Sequence, residues 1–138
     1  MNKKKLINMA IKARKNAYVP YSRFHVGAAL ITKSGKIYTG CNIESASYTP
    51  TNCAERTAIF KAVSEGHRDI ETIVIIGDSE FTYPCGVCRQ VMREFNKNMH
   101  VIIAKDENNF KEYTLEELLP NSFGPEDLKN KEERCNEL

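Results

Sequence analysis

The chain has 138 residues, 41% of them hydrophobic and 28% charged, with a formal net charge of +2. That length suits one domain with a substantial core, and the composition is that of an ordinary globular protein. The charge balance is far from the dense basic stripe of a duplex-binding domain, so nucleic acid is not an expected partner.

The N-terminal stretch "MNKKKLINMAIKARKNAY" lacks the continuous apolar region of ~7–15 residues that a secretory signal requires. No run approaches the ~20 apolar residues of a membrane span. A cytoplasmic location is therefore expected. Five cysteines are an odd number for a disulfide framework, and in that compartment clustered cysteines point to metal binding or catalysis.

Apolar side chains at Leu6, Ile7, Met9, Ala10, Ala13 and Ala17 share one helical face, predicting a helix over 6–18 that Pro20 stops. "FHVGAALIT" and "IYTGCNI", separated by the turn "KSGK", read as a hairpin. A second helix is predicted from Cys53 to about Glu65, closed by Gly66 where a left-handed cap is favoured. "TIVIIGD" is a continuous apolar run, the pattern of a strand covered on both faces. "VCRQVMREFN" follows as a helix, "HVIIAK" as another buried strand and "FKEYT" as a fifth, shorter strand. "TLEELLP" carries a capping-box pattern and ends at Pro120. This order predicts a three-layer α/β/α sandwich around a mixed five-stranded sheet. Residues 1–128 are expected to form a single domain and 129–138 a charged tail.

The chemistry concentrates at two helix starts. "YPCGVCRQ" places Cys85 and Cys88 at the spacing of a metal clip. Such a pair is also found in redox motifs or as half of a structural zinc ribbon, but a ribbon needs two pairs, and Cys41 and Cys135 form no second one. The partner on offer is Cys53, a single thiol at the mouth of the second helix, where Ser, Thr, Asp or Asn is the usual cap. Three protein ligands leave zinc one open position, the arithmetic of a catalytic centre. Helix N-termini favour thiolate. Three thiolates still overcompensate a dication, and Arg56, otherwise readable as a surface arginine, can offset the surplus. Glu55 follows Cys53 by two residues and can lie beside the metal without ligating it, placed to move protons. In isolation it would read as a first-turn carboxylate favoured by the helix dipole.

"CAERTA" at 53–58 and "PCGVCRQ" at 84–90 together resemble the cytidine deaminase family, in its short, homotetrameric class. "YVPYSRFHVGAAL", "GCNIESASY" and "ELLPNSFGPEDL" extend the resemblance over most of the chain. It implies a cytidine deaminase-like fold, one zinc per chain on Cys53, Cys85 and Cys88, and Glu55 as the catalytic proton carrier. The implied reaction is hydrolytic deamination of cytidine and 2′-deoxycytidine to the uridine product and ammonia, in pyrimidine salvage. By the same resemblance Asn42 and Glu44 hydrogen-bond the ribose 3′-hydroxyl, Phe24 walls the pocket and Ala54 contacts the base through its backbone. Tyr48 and Phe123 reach a neighbouring subunit's site in a homotetramer with shared active sites. Unaided, Phe24 would read as plain core, and Asn42 and Glu44 as a polar hairpin end.

"SYTPTN" before Cys53 is more polar than the apolar lead-in common in the family. His25, His67 and His100 have no metal-like spacing and are given no role, and Cys135 reads as a free thiol. Two other readings stay open: a deaminase acting on a base in RNA, a nucleotide or a nucleoside antibiotic, and a non-catalytic module held together by zinc on four protein ligands.

Overall fold

The segment Ile70–Ile76, here β3, is apolar on both faces because both faces are covered. Ile73 and Ile75 face one buried cluster, and Val74 and Ile76 face another. This alternation organises the molecule, described here over residues 1–128 of a computed structural model. The tail 129–138, with Cys135, lies outside the described residues.

The other strands are β1 (Gly27–Thr32), β2 (Ile37–Cys41), β4 (His100–Ala104) and β5 (Phe110–Thr114). They form one sheet in the order β2-β1-β3-β4-β5. Only β3 and β4 run parallel, and the other three pairings are antiparallel, so the sheet is mixed. A helix, α1 (Lys3–Arg14), packs Leu6, Ile7 and Ala10 on one face. The opposite face is covered by α2 (Ala54–Ser64), α3 (Gly86–Phe95) and the short α4 (Leu115–Leu118). This is the expected three-layer α/β/α sandwich with five strands.

Local chemistry explains the ends of the elements. Asn2 caps α1 by accepting the Lys5 N–H at 3.0 Å. Gly66 follows α2 with φ of +92°, a conformation that costs a Cβ-bearing residue energy. Thr114 and Glu117 form the predicted capping box of α4. Two boundaries differ from expectation. The first helix stops at Arg14, not near Tyr18, because Tyr18 turns to bridge Ile43: its N–H donates to Asn42 O at 3.0 Å, and its carbonyl accepts from Glu44 N at 2.9 Å. The first strand starts at Gly27, not Phe24, because the Asn42 side chain takes the polar backbone groups of Phe24 and Val26 that a ladder would use.

The alanines Ala54, Ala58 and Ala62 recur every four residues and give α2 a smooth face. It lies so close to β2 that a Cβ on Gly40 would sit 2.5 Å from Ala54 O and 2.6 Å from Ala58 N. The register places Gly27 opposite both Cys41 and Ile76. The end of β2, the start of β1 and the end of β3 thus converge at one edge of the sheet.

Candidate active site

At that edge the N-terminus of α2 meets the N-terminus of α3. Cys53 and Cys85 are the two N-cap residues, and Cys88 lies in the first turn of α3. Cys53 makes no side-chain cap hydrogen bond, so its sulfur is free to turn toward the other two. The three Sγ atoms lie within 4.8 Å of one another. Cys53 Sγ and Cys85 Sγ are 3.8 Å apart. That is too far for a disulfide, and it matches the separation of about 3.8 Å expected for two sulfurs each ~2.3 Å from a tetrahedral zinc. The donor set is soft and thiolate-rich, which suits zinc.

The thiols are not equivalent. Cys53 is pulled down to about 5, chiefly by the hydrogen bond it shares with Cys88 and then by Arg56, against the opposing effect of burial. Cys88 is pushed up, first by holding the shared proton and then by burial. Of these two, Cys53 is therefore the thiol that ionises first. Arg56 Nη2 donates to Cys53 Sγ at 3.4 Å. Its Nε is buried without a hydrogen-bond partner. The guanidinium thus meets the cluster as the nearby positive charge.

Glu55 is 3% exposed. Burial pushes its carboxyl up to about 7, with the Cys53 charge adding to the shift. A carboxyl that ionises near neutrality can both accept and release a proton. With the thiol cluster beside it, the constellation is that of a hydrolytic metal centre.

A cleft of about 130 Å³ opens onto these groups, lined by Asn42, Cys53, Ala54, Glu55 and Cys85 together with Val26, Thr82 and Tyr83. Phe24, expected to wall the pocket, is not among these lining residues. A Cβ on Gly77 would lie 3.0 Å from the Phe24 ring and 2.1 Å from the Thr82 hydroxyl, so only glycine lets both approach. Glu44 and Tyr48 line an adjoining groove with Tyr21, Ser22, Ser45 and Thr51.

The polar side chains are heavily engaged. Asn42 accepts from Val26 N at 2.9 Å and donates to Phe24 O at 2.8 Å. Glu44 accepts from Tyr21 N at 3.0 Å, Ser22 N at 3.1 Å and the Ser22 hydroxyl, and the hydroxyl contact is the main reason its carboxyl titrates low. The backbone of 20–26 and these two side chains therefore form one rigid rim.

Tyr48 and Phe123 are not brought into the cleft. Tyr48 is 74% exposed in the left-handed region at φ 62°. Phe123 is 59% exposed, its carbonyl held by Gln90 Nε2 at 2.8 Å. The histidines given no role have local partners: His25 pairs with Asp78, His100 with Glu112, and His67 packs against Tyr38.

Sequence reasoning missed Val26, Thr82, Tyr83 and Arg89. Arg89 Nε donates to Pro84 O at 2.8 Å and its Nη1 to Leu118 O at 2.7 Å, tying the Cys85 loop to the end of α4. The available signal was a pair of arginines, Arg89 and Arg93, spaced i and i+4 on a helix that must bury one face.

Residues 1–105 match the family described as cytidine and deoxycytidylate deaminase zinc-binding region. A cytidine deaminase of Sporosarcina psychrophila is 51% identical over 130 residues, 93% of this chain and 96% of that protein. One from Halalkalibacterium halodurans is also 51% identical over 130 residues, covering 93% and 98%. The crystal structure of a Burkholderia pseudomallei cytidine deaminase superposes with a TM-score of 0.85 at 42% identity, covering 89% of this chain and all of that one. Fold and site together define a zinc-dependent hydrolytic deaminase. The chain belongs to the cytidine deaminase family.

Proposed function

We propose that the protein hydrolyses cytidine and 2′-deoxycytidine to uridine and 2′-deoxyuridine, releasing ammonia, as a step of pyrimidine salvage. A single unit spanning residues 1–128 carries the chemistry. The observation that supports it best is Glu55: a buried carboxyl, raised to about 7, adjoining three clustered thiols in a cleft.

Cys53, Cys85 and Cys88 would hold the zinc. When bound, it supplies Lewis-acid activation of water near neutral pH. Glu55 takes a proton from the attacking water and passes it to the ring nitrogen beside the amine-bearing carbon. It then takes the remaining proton from the hydroxyl added to that carbon and delivers it to the amine, leaving a carbonyl. The water oxygen bonds to that carbon, the carbon–nitrogen bond breaks and ammonia leaves. Arg56 keeps Cys53 ionised and offsets the negative charge of the cluster. Ala54, at the first turn of α2, offers backbone to the base, and Phe24 covers it from the rim. Asn42 and Glu44 meet the ribose 3′-hydroxyl. Each is already part-saturated by the 20–26 backbone, which holds it in place with no reorganisation when the sugar arrives.

A cleft of about 130 Å³ is smaller than the ~300–1,000 Å³ of typical ligand sites. Exposed Tyr48 and Phe123 supply what is missing if they close a neighbouring copy's cleft, which supports a homotetramer with shared sites. A zinc-held binding module would need a fourth protein ligand. Among the described residues the metal-capable group contains only the three thiols.

The test is ammonia release from cytidine, deoxycytidine, deoxycytidine monophosphate and adenosine. Turnover of the two nucleosides, with the monophosphate and adenosine left intact, is expected. Turnover of the monophosphate alone would refute the substrate reading, which is supported by the lining of the cleft and the adjoining groove, where no Lys or Arg is found.

A further inference from the structure

Arg93 is 4% exposed, yet all its side-chain partners lie on the segment that follows α4. Its Nε donates to Ser122 Oγ at 2.7 Å. Nη1 and Nη2 each meet a different oxygen of Glu126, a two-pronged grip. Between those two contacts the backbone passes directly over the guanidinium: a Cβ on Gly124 would fall 2.3 Å from Nη1 and 2.4 Å from Cζ. One turn earlier on α3, Gln90 binds the Phe123 carbonyl, and Asp127 closes the loop by accepting Gly124 N at 2.8 Å.

The backbone of Phe123 is therefore fixed on both sides while its ring points outward, 59% exposed. An anchor meant only to seal α3 would be expected to bury that ring, since leaving a phenylalanine in water forgoes the stabilisation that burying its apolar surface would give. Restraining the backbone of an exposed aromatic instead lowers the entropy lost when the ring is captured by a partner surface.

We propose that Arg93, gripping Glu126 and Ser122 beneath Gly124, is a positioning residue that presents Phe123 to the active-site cleft of a neighbouring copy. This rests on the reading that Phe123 completes that cleft. The latch stands on α3, the helix that carries Cys88 and starts at Cys85, so one rigid element sets both the metal loop and the projecting ring. Arg93 acts through Phe123 and touches no reacting atom.

The experiment is a double-mutant cycle on the zinc-loaded enzyme, reading KM and kcat for cytidine in Phe123→Ala, Glu126→Gln and the pair. Glu126 is half-exposed, so its replacement leaves the fold intact, which thermal unfolding checks. Phe123→Ala is expected to raise KM about tenfold, and Glu126→Gln about threefold with kcat within about twofold. The double variant should match Phe123→Ala alone, because a latch without its ring has nothing to present. A wild-type KM in Glu126→Gln beside a raised KM in Phe123→Ala overturns the latch but leaves the role of Phe123. Additive increases in the double variant also overturn the latch. A wild-type KM in Phe123→Ala overturns the reading of Phe123 and the latch with it.

Discussion

Glu55 gains its chemistry from where it is buried. On an exposed first turn it would be an ordinary carboxylate stabilising a helix dipole. At 3% exposure, beside Cys53 and Cys88, its proton affinity rises toward neutrality, where a carboxyl can both accept and release a proton. Glu55→Gln keeps the volume and the hydrogen-bonding shape but cannot carry the proton. It is expected to retain the metal, measured by atomic absorption, and to lose about 10³-fold in kcat. Turnover near the wild-type rate would remove Glu55 from the mechanism.

At the scale of elements, α2 and α3 are packed through close contacts that a Cβ at either of two glycines would forbid. Gly40 admits α2 against β2, and Gly124 admits the C-terminal strap against α3. The strap also carries a pH signature. The Arg93 guanidinium holds the Glu126 carboxyl at about 2, well below its unfolded range of about 4.3. Because the folded value is the lower one, the contribution is complete above the unfolded value and is lost as pH falls through the folded one. The stability advantage of wild type over Glu126→Gln, from urea unfolding, is therefore expected to be constant above about pH 5. It should shrink steadily as pH falls toward about 2. A difference that does not change with pH would mean that the ion pair does not hold the strap in solution. Charged partners of this kind were invisible in the sequence, because Arg93 and Glu126 are 33 residues apart and nothing local marks either as buried.

At the scale of the whole molecule, one chain assembles the three clustered thiols, the buried carboxyl of Glu55 and the rim, while the cleft is small and Tyr48 and Phe123 face outward. Sedimentation is expected to give the mass of four 15.7 kDa chains at assay concentrations, with activity falling on dilution into the monomer range. A fully active monomer would contradict the shared-site proposal. No helix among the described residues is long and apolar enough to cross a membrane.

The amino-acid order alone determined the elements with strong periodicity or punctuation: the two-faced strand Ile70–Ile76, the helix opened by Cys53 and closed before Gly66, and the capping box at Thr114. It also determined the chemistry of the metal site, because ligand type and the close spacing of Cys85 and Cys88 are written locally. Tertiary structure decided the rest. Tyr18 left its helix because Ile43 offered a bridge, and Asn42 consumed the hydrogen bonds that would have extended the first strand. Sheet register brought Cys41, Gly27 and Ile76 to one edge, so that thiols at two helix starts 32 residues apart could converge. The cleft walls Val26, Thr82 and Tyr83, and the grip of Arg93 on a distant strap, follow from that convergence. Each depends on which surfaces meet across the sequence, and local propensity carries no information about such meetings.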